Sequence, residues 1–147
     1  MTRRYGAAPE RGQGYRVRPG VYAILPRGDD ILLTFQDTPK PELQLPGGGI
    51  DPGEGPIAAL HREVLEETGW RIAAPRRLGV FRRFVWMPDY EIHAEKVCHV
   101  YVARPVMRLG PPRETGHTAV WVSFATAGAV LGNEGDAAFV RRWIAAR

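Results

Sequence analysis

The sequence has little of what a membrane-anchored or disulfide-stabilised protein requires. Cys98 is the only cysteine among the 147 residues, which excludes an internal disulfide framework. No apolar run reaches the roughly 18 residues that a membrane-spanning helix needs. The first 20 residues contain arginines with no apolar stretch after them, unlike a secretory signal. We therefore expect a cytoplasmic protein with no membrane partner.

Lysine is also scarce. Only Lys40 and Lys96 are lysines among the 20 basic residues, and the formal net charge is +4. Arginine binds phosphate groups as a planar fork and stacks on aromatic rings, so this bias suits a phosphate-rich partner. A general bias toward Arg, Ala, Gly and Pro explains the composition equally well. Net charge therefore does not identify a partner by itself.

The chain length and the hydrophobic fraction of 44% indicate one compact domain. Residues 1–16 are rich in Gly and Arg and lack hydrophobic periodicity. This pattern predicts a flexible arginine-rich arm, followed by a domain at 17–147.

Most of the domain carries strand patterns. Apolar runs at 17–25 and 30–35 flank the turn signal PRGDD, which predicts a β-hairpin. A short strand is expected at 43–45, ended by Pro46 and three glycines. Three further strands are expected from apolar and alternating patterns, at 76–87, 95–106 and 118–124.

Two helices are predicted. Pro56 suits the first position of a helix and Gly69 suits the left-handed position that ends one. A buried stripe is expected at Ile57, Leu60, Val64 and Thr68. The segment 134–147 is a second amphipathic pattern, with inward Phe139, Val140, Trp143 and Ile144. This order of elements predicts an α+β fold, a mixed β-sheet with helices on both faces.

The first of these helices concentrates negative charge. Glu63, Glu66 and Glu67 are spaced i, i+3 and i+4, so their side chains share one face and repel each other. Such a run often lies on a solvated face, with Arg62 as an ordinary partner of Glu66. The preceding loop, LPGGGIDPGEGP, favours another interpretation because its backbone can turn closely and present carbonyl oxygens. Carboxylates and carbonyls are the ligands that Mg²⁺ prefers.

The same stretch resembles the signature of the Nudix hydrolases, G-x5-E-x7-R-E-U-x-E-E-x-G-U, where U is a bulky apolar residue. Every fixed position is matched over 23 residues, by Gly48, Glu54, Arg62, Glu63, Val64, Glu66, Glu67, Gly69 and Trp70. Trp70 departs in kind, because an aliphatic residue is commoner there. The order of strand, loop, helix and strand extends the resemblance more loosely to the whole chain.

The resemblance implies an α/β/α sandwich and hydrolysis of a pyrophosphate bond in a nucleoside diphosphate linked to another group. It also implies that Glu63, Glu66, Glu67 and the carbonyl of Gly47 bind Mg²⁺, with Mn²⁺ as an alternative ion. Arg62 would orient a carboxylate of this site, and Glu54 would be a supporting ion-pair partner.

The general base is less sharply indicated. Glu114, in the loop PPRETGHT, resembles the place where some relatives carry this carboxylate. Glu95 is the rival on a strand, and Glu63 is the alternative within the signature. His93, His99 and His117 lack metal-ligand spacing, and no role is predicted for them.

The substrate stays open at this stage. Phe84, Trp86 and Tyr90 could stack a base, although strand aromatics usually pack in the core. Arg82 and Arg83 cannot both face the same side of a strand, so one of them could meet phosphate. Three functions remain: hydrolysis of a small nucleotide, removal of pyrophosphate from RNA 5′ ends, and non-catalytic nucleotide binding. The sequence does not indicate the oligomeric state, and a homodimer is compatible with it.

Overall fold

The computed structural model describes residues 2–147. It contains three helices among nine strands of very different length. In chain order the elements are β1 (Arg3–Arg4), β2 (Arg16–Ile24), β3 (Pro26–Arg27), β4 (Asp30–Gln36), β5 (Glu42–Gln44), β6 (Gly47–Gly49), α1 (Pro56–Thr68), β7 (Trp70–Met87), β8 (Ile92–Arg108), β9 (His117–Ser123), α2 (Phe124–Val130) and α3 (Glu134–Ala145).

The strands form two sheets. The first has the order β1-β7-β8-β2-β6 and is mixed, because β8 and β2 run parallel while β7 and β8, and β2 and β6, run antiparallel. In the second sheet β4 pairs with β9 along its whole length. The short strands β3 and β5 pair with the two ends of β4, and they share its other edge.

The side chains of β2 alternate between two hydrophobic layers, as the period of a strand requires. Val21 and Ala23 pack in one layer with Leu60 and Val64 of α1. Ile24 packs in the other layer, which contains residues of α3. Helices therefore cover both sides of the strands, and the predicted α+β class with an α/β/α arrangement is confirmed.

Local sequence signals set both ends of α1. Pro56 is its first residue, and Gly69 ends it with φ +79° and an N–H that donates to the Leu65 carbonyl. A Cβ at Gly69 would lie 1.9 Å from the Gly110 carbonyl oxygen, so glycine is required there for space as well as for conformation. The predicted stripe is buried except at Ile57, which is 42% exposed.

The hairpin predicted at 17–25 and 30–35 is wrong in its pairing. The turn joins only the two residues of β3 to β4. The longer strand β2 lies in the first sheet, where β8 and β6 occupy its two edges. The three glycines that were expected to end a strand instead form β6.

The N-terminal segment contacts the first sheet. Arg3 and Arg4 pair in parallel with β7, and Tyr5 packs edge-on against the buried Phe81. The division into an arm at 1–16 and a domain at 17–147 stays a prediction. Within residues 2–147, none of the helices combines the length and the apolar character needed to cross a membrane.

Candidate active site

The helix α1 directs its glutamates toward the glycine strand β6. Glu67 is 6% exposed, and its Oε1 accepts a hydrogen bond from the Gly47 N–H at 3.0 Å. Burial raises the pKa of Glu67 well above its ordinary value, and the Gly47 hydrogen bond opposes that shift. Burial likewise raises the pKa of Glu63. The site therefore holds carboxylates in surroundings that disfavour their charge unless a cation is present.

The glycines of β6 allow this close approach. A Cβ at Gly47, whose φ is +152°, would lie 2.0 Å from the Val21 carbonyl oxygen. A Cβ at Gly48 would lie 2.5 Å from Oε2 of Glu63. Both positions require glycine for space, the first because of the backbone of β2 and the second because of a glutamate of α1.

Arg62 connects several carboxylates of this region. Its guanidinium donates two hydrogen bonds of 2.8 Å to Glu54 and one of 2.9 Å to Glu63. It also reaches Glu66 at 3.3 Å and donates to the Gly49 carbonyl at 3.1 Å. The fork to Arg62 lowers the pKa of Glu54 to about 2. Arg62 therefore contacts several carboxylates besides its i,i+4 partner Glu66, and Glu54 forms an ion pair with it.

A loop brings Glu114 to the end of α1. The backbone N–H groups of Arg113 and Glu114 both donate to the Glu66 carbonyl, at 2.8 and 2.9 Å. Carboxylate oxygens of Glu63, Glu66 and Glu114 lie within 4.8 Å of one another. We call Glu63, Glu66, Glu67 and Glu114 the acid cluster. Glu67 and Glu114 are 47 positions apart in the sequence, and the fold brings their carboxylates together.

His117 joins this region although no role was predicted for it. It begins β9, its Nδ1 lies 3.0 Å from the hydroxyl of Thr34, and its Nε2 lies 3.7 Å from Glu67 and 3.9 Å from Glu114. The spacing of histidines could not indicate this, because the neighbours of His117 come from β4, α1 and the preceding loop. His117 is therefore a residue of this region to which the sequence assigned no role.

Glu95 lies apart from the acid cluster. It forms an ion pair with Arg82 at 3.3 Å, and neither residue lines the cavity next to the acid cluster. The following residue, Lys96, lines that cavity, as expected when successive side chains of a strand point to opposite faces. Of Glu114 and Glu95, the two candidates outside the signature, Glu114 is the one that lies with Glu63 and Glu66.

The donor set fits a hard divalent cation. The acid cluster offers carboxylate oxygens at short mutual distances, and Arg62 is the arginine that forms ion pairs with its members. Mg²⁺ binds such oxygen ligands at about 2.0–2.1 Å and retains several waters. Glu63, Glu66, Glu67 and Glu114 could therefore hold it. The same carboxylate donors also suit Mn²⁺, and the Gly47 carbonyl stays a predicted ligand.

A cavity of about 450 Å³ opens beside the acid cluster, a size typical of small-molecule sites. Glu63, Glu67 and the β6 glycines line it from α1 and β6, and Arg83 and Lys96 line it from β7 and β8. We call this cavity the cleft. Trp86 and Tyr90 line it and are 51% and 58% exposed. Phe84 does not line it, and packs instead against Tyr15.

Comparison with known proteins agrees with this geometry. The profile of the NUDIX domain family matches residues 14–143. A Bacillus subtilis (strain 168) protein named "Putative 8-oxo-dGTP diphosphatase" is 38% identical over 64 residues, covering 44% of this chain and 43% of that protein. An RNA pyrophosphohydrolase of Helicobacter pylori (strain ATCC 700392 / 26695) is 41% identical over 59 residues, covering 37% and 38%. The chain thus matches about two fifths of the length of these relatives.

Solved structures are similar over more of the chain. A NUDIX hydrolase from Nitrosomonas europaea superposes with a TM-score of 0.72 at 23% identity, covering 89% of this chain and 90% of that one. A MutT protein from Bacillus halodurans gives a TM-score of 0.69 at 20% identity, covering 84% and 80%. At these identities the likeness concerns the fold alone.

Proposed function

Because the chain belongs to the Nudix hydrolase family, we propose that it is a Mg²⁺-dependent enzyme that cleaves a pyrophosphate bond of a small nucleotide. The substrate class is a nucleoside diphosphate linked to another group, as in nucleoside triphosphates, dinucleoside polyphosphates and nucleotide sugars. One observation carries the proposal: the carboxylates of Glu63, Glu66 and Glu114 converge within 4.8 Å beside a cleft of nucleotide size.

The residues of the site have distinct tasks in this proposal. When bound, Mg²⁺ would neutralise phosphate oxygens and lower the pKa of a coordinated water. Glu63, Glu66 and Glu67 would hold the ion. Arg62 fixes the position of Glu63 through its 2.9 Å hydrogen bond, while its fork to Glu54 immobilises the guanidinium. Phosphoryl transfer depends mainly on positioning and charge stabilisation, and these contacts supply the positioning.

Glu114 is the proposed general base. Its side chain is 45% exposed, so water can reach it, and its backbone is tied to the Glu66 carbonyl. Glu63 is the alternative, but Arg62 already donates a hydrogen bond to its Oε1. The Arg62 guanidinium therefore already occupies an oxygen of Glu63 that a water would have to reach, which favours Glu114.

Removal of pyrophosphate from RNA 5′ ends is the second candidate. Its support is that several relatives are named RNA pyrophosphohydrolase, including one from Cereibacter sphaeroides (strain KD131 / KCTC 12085) that is 44% identical over 86 residues, covering 57% of this chain and 51% of that protein. The exposed Arg3, Arg4 and Arg11 would contact additional phosphates. Replacing all three with Gln should then raise KM for RNA and flatten its salt dependence, because each lost phosphate contact reduces counterion release.

A non-catalytic nucleotide-binding module is the third reading, and it is disfavoured. Such modules usually lose acids of the signature, whereas every acid of the signature is present here and three of them belong to the acid cluster.

The decisive assay measures release of phosphate and pyrophosphate from a panel of substrates. The panel contains a nucleoside triphosphate, 8-oxo-dGTP, a dinucleoside polyphosphate, a nucleotide sugar and 5′-triphosphorylated RNA, each with Mg²⁺, with Mn²⁺ or with EDTA. The proposal expects turnover of at least one nucleotide with Mg²⁺ and none with EDTA. Turnover of RNA alone would favour the second candidate, and no turnover with Mg²⁺ or Mn²⁺ would favour the binding module.

A further inference from the structure

Two basic side chains face the cleft from neighbouring strands. Arg83 of β7 and Lys96 of β8 are direct cross-strand partners, and both line the cleft. Within residues 2–147, neither forms an ion pair with a carboxylate. Like charges directly opposite each other destabilise an antiparallel pair. The fold therefore holds two cations together at a position where neither has a carboxylate within ion-pair distance.

The other face of the same strands is arranged differently. Arg82 and Glu95, the residues immediately before Arg83 and Lys96, form an ion pair of 3.3 Å. The same two strands thus pair opposite charges on the face away from the cleft and like charges on the face toward it. A general excess of arginine would affect both faces alike, so it does not explain this difference. The cations without an ion pair are those that line the cleft, where a ligand can reach them.

The protein surroundings of Lys96 compensate its charge only in part. Its ammonium lies 5.8 Å from the centre of the Tyr22 ring, a weak contact at that range. Burial lowers the pKa of Lys96 and the charge of Arg83 lowers it further, whereas the nearby charges of Asp136 and Glu67 oppose this shift without cancelling it. Asp136 lies in the core behind, but its carboxylate accepts the Leu45 N–H at 3.1 Å and forms an ion pair with neither cation. An anion in the cleft would relieve this repulsion.

We propose that Arg83 and Lys96 form a phosphate subsite of the cleft, which binds a phosphate group of the substrate directly and does not require the metal ion. This inference rests on the proposed function for the identity of the ligand. A guanidinium can donate two parallel hydrogen bonds to phosphate oxygens, and an ammonium adds a compact charge. Glu63, Glu67 and Glu114 of the acid cluster line the same cleft. One phosphate of a diphosphate could therefore contact an ion held by the acid cluster while the other contacts the subsite.

The test uses the full-length protein in EDTA, with inorganic pyrophosphate as the probe and isothermal titration calorimetry as the measurement. Binding to wild-type protein is expected. Arg83→Gln and Lys96→Gln should each weaken it about tenfold to a hundredfold, the range for losing one hydrogen bond to a charged group. Arg82→Gln is the matched control, because it removes one arginine from the same strand but from the opposite face, and it should bind as wild type does.

Three results would overturn the subsite. These are no binding of pyrophosphate to wild-type protein, equal binding by all variants, and equal weakening by Arg82→Gln. Circular dichroism melting verifies folding, and Arg83→Lys provides a second variant that should restore part of the affinity. The experiment involves neither metal nor turnover, so its result is independent of the hydrolysis assay. The subsite proposal can be refuted for an active hydrolase, and it can be supported for a protein without hydrolase activity.

Discussion

Gly48→Ala tests whether the absence of a side chain at Gly48 of β6 is needed to position the carboxylate of Glu63. The new Cβ would lie 2.5 Å from Oε2, 2.6 Å from Cδ and 2.8 Å from Oε1 of Glu63. The backbone itself accommodates alanine, since the φ angle of Gly48 is not positive. The substitution should therefore displace the Glu63 carboxylate and leave the strand in place.

The size of the effect follows from these distances. Moving Oε2 from 2.5 Å to the 3.4 Å of ordinary contact requires a shift of about 0.9 Å. Metal-ligand distances tolerate about 0.2 Å, and a misplacement of about 1 Å can cost about 10²-fold in rate. We expect a loss of about 10²-fold in kcat and weaker Mg²⁺ activation.

The assay is steady-state hydrolysis over a Mg²⁺ titration, accompanied by thermal melting. Gly49→Ala is the matched control, because a Cβ there would meet only Arg18, at 3.9 Å. It should keep near-normal activity. Wild-type kcat and Mg²⁺ dependence in Gly48→Ala would show that the Glu63 position does not matter for catalysis and would refute the reasoning.

Three further outcomes are expected. Arg62→Lys should lower kcat and Mg²⁺ affinity about 10–100-fold, because an ammonium cannot reproduce the fork that orients the carboxylates; a Mg²⁺ titration of kcat measures this. Glu114→Gln should lower kcat about 10²–10⁴-fold, whereas Glu95→Gln should stay near wild type because Glu95 pairs with Arg82 on the other face. The folded state holds the proton of Glu67 more strongly than the unfolded chain, because the pKa of Glu67 is raised above its ordinary value of 4.5 in the fold. In EDTA, the free energy of unfolding should therefore fall as pH rises from 4.5 through the raised pKa. Urea unfolding at several pH values measures this.

Each of these has a clear opposite. Full activity of Arg62→Lys would show that only the positive charge at this position matters. A larger loss in Glu95→Gln than in Glu114→Gln would identify Glu95 of β8 as the general base. For the pH prediction, Glu67→Gln is the control and should flatten the decline, as should Mg²⁺. A decline of unchanged slope in that variant would assign the effect to other groups.

The local part of the site could be predicted from the sequence. The helix from Pro56 to Gly69 depends on short-range signals, and the spacing of Glu63, Glu66 and Glu67 on it places them on one face whatever the rest of the chain does. Arg62 was expected to orient a carboxylate, and the structure gives it contacts with several.

The remainder depends on long-range pairing that local patterns do not encode. The strands at 17–25 and 30–35 look like a hairpin in sequence, but the edges of β2 are occupied by β8 and β6. His117 reaches the acid cluster only because β9 pairs with β4. Alternation required Arg82 and Arg83 to face opposite sides, but only the assembled sheet decides which one enters the cleft.

The central claim is that the acid cluster is a metal site, and a metal-binding measurement tests it most directly. Titration of Mn²⁺ followed by electron paramagnetic resonance counts bound and free ion, and Mg²⁺ added afterwards tests competition. We predict binding to wild-type protein that Mg²⁺ displaces, and at least tenfold weaker binding to Glu67→Gln with an unchanged or slightly higher melting temperature in EDTA. Equal Mn²⁺ affinity in the two proteins would contradict the assignment.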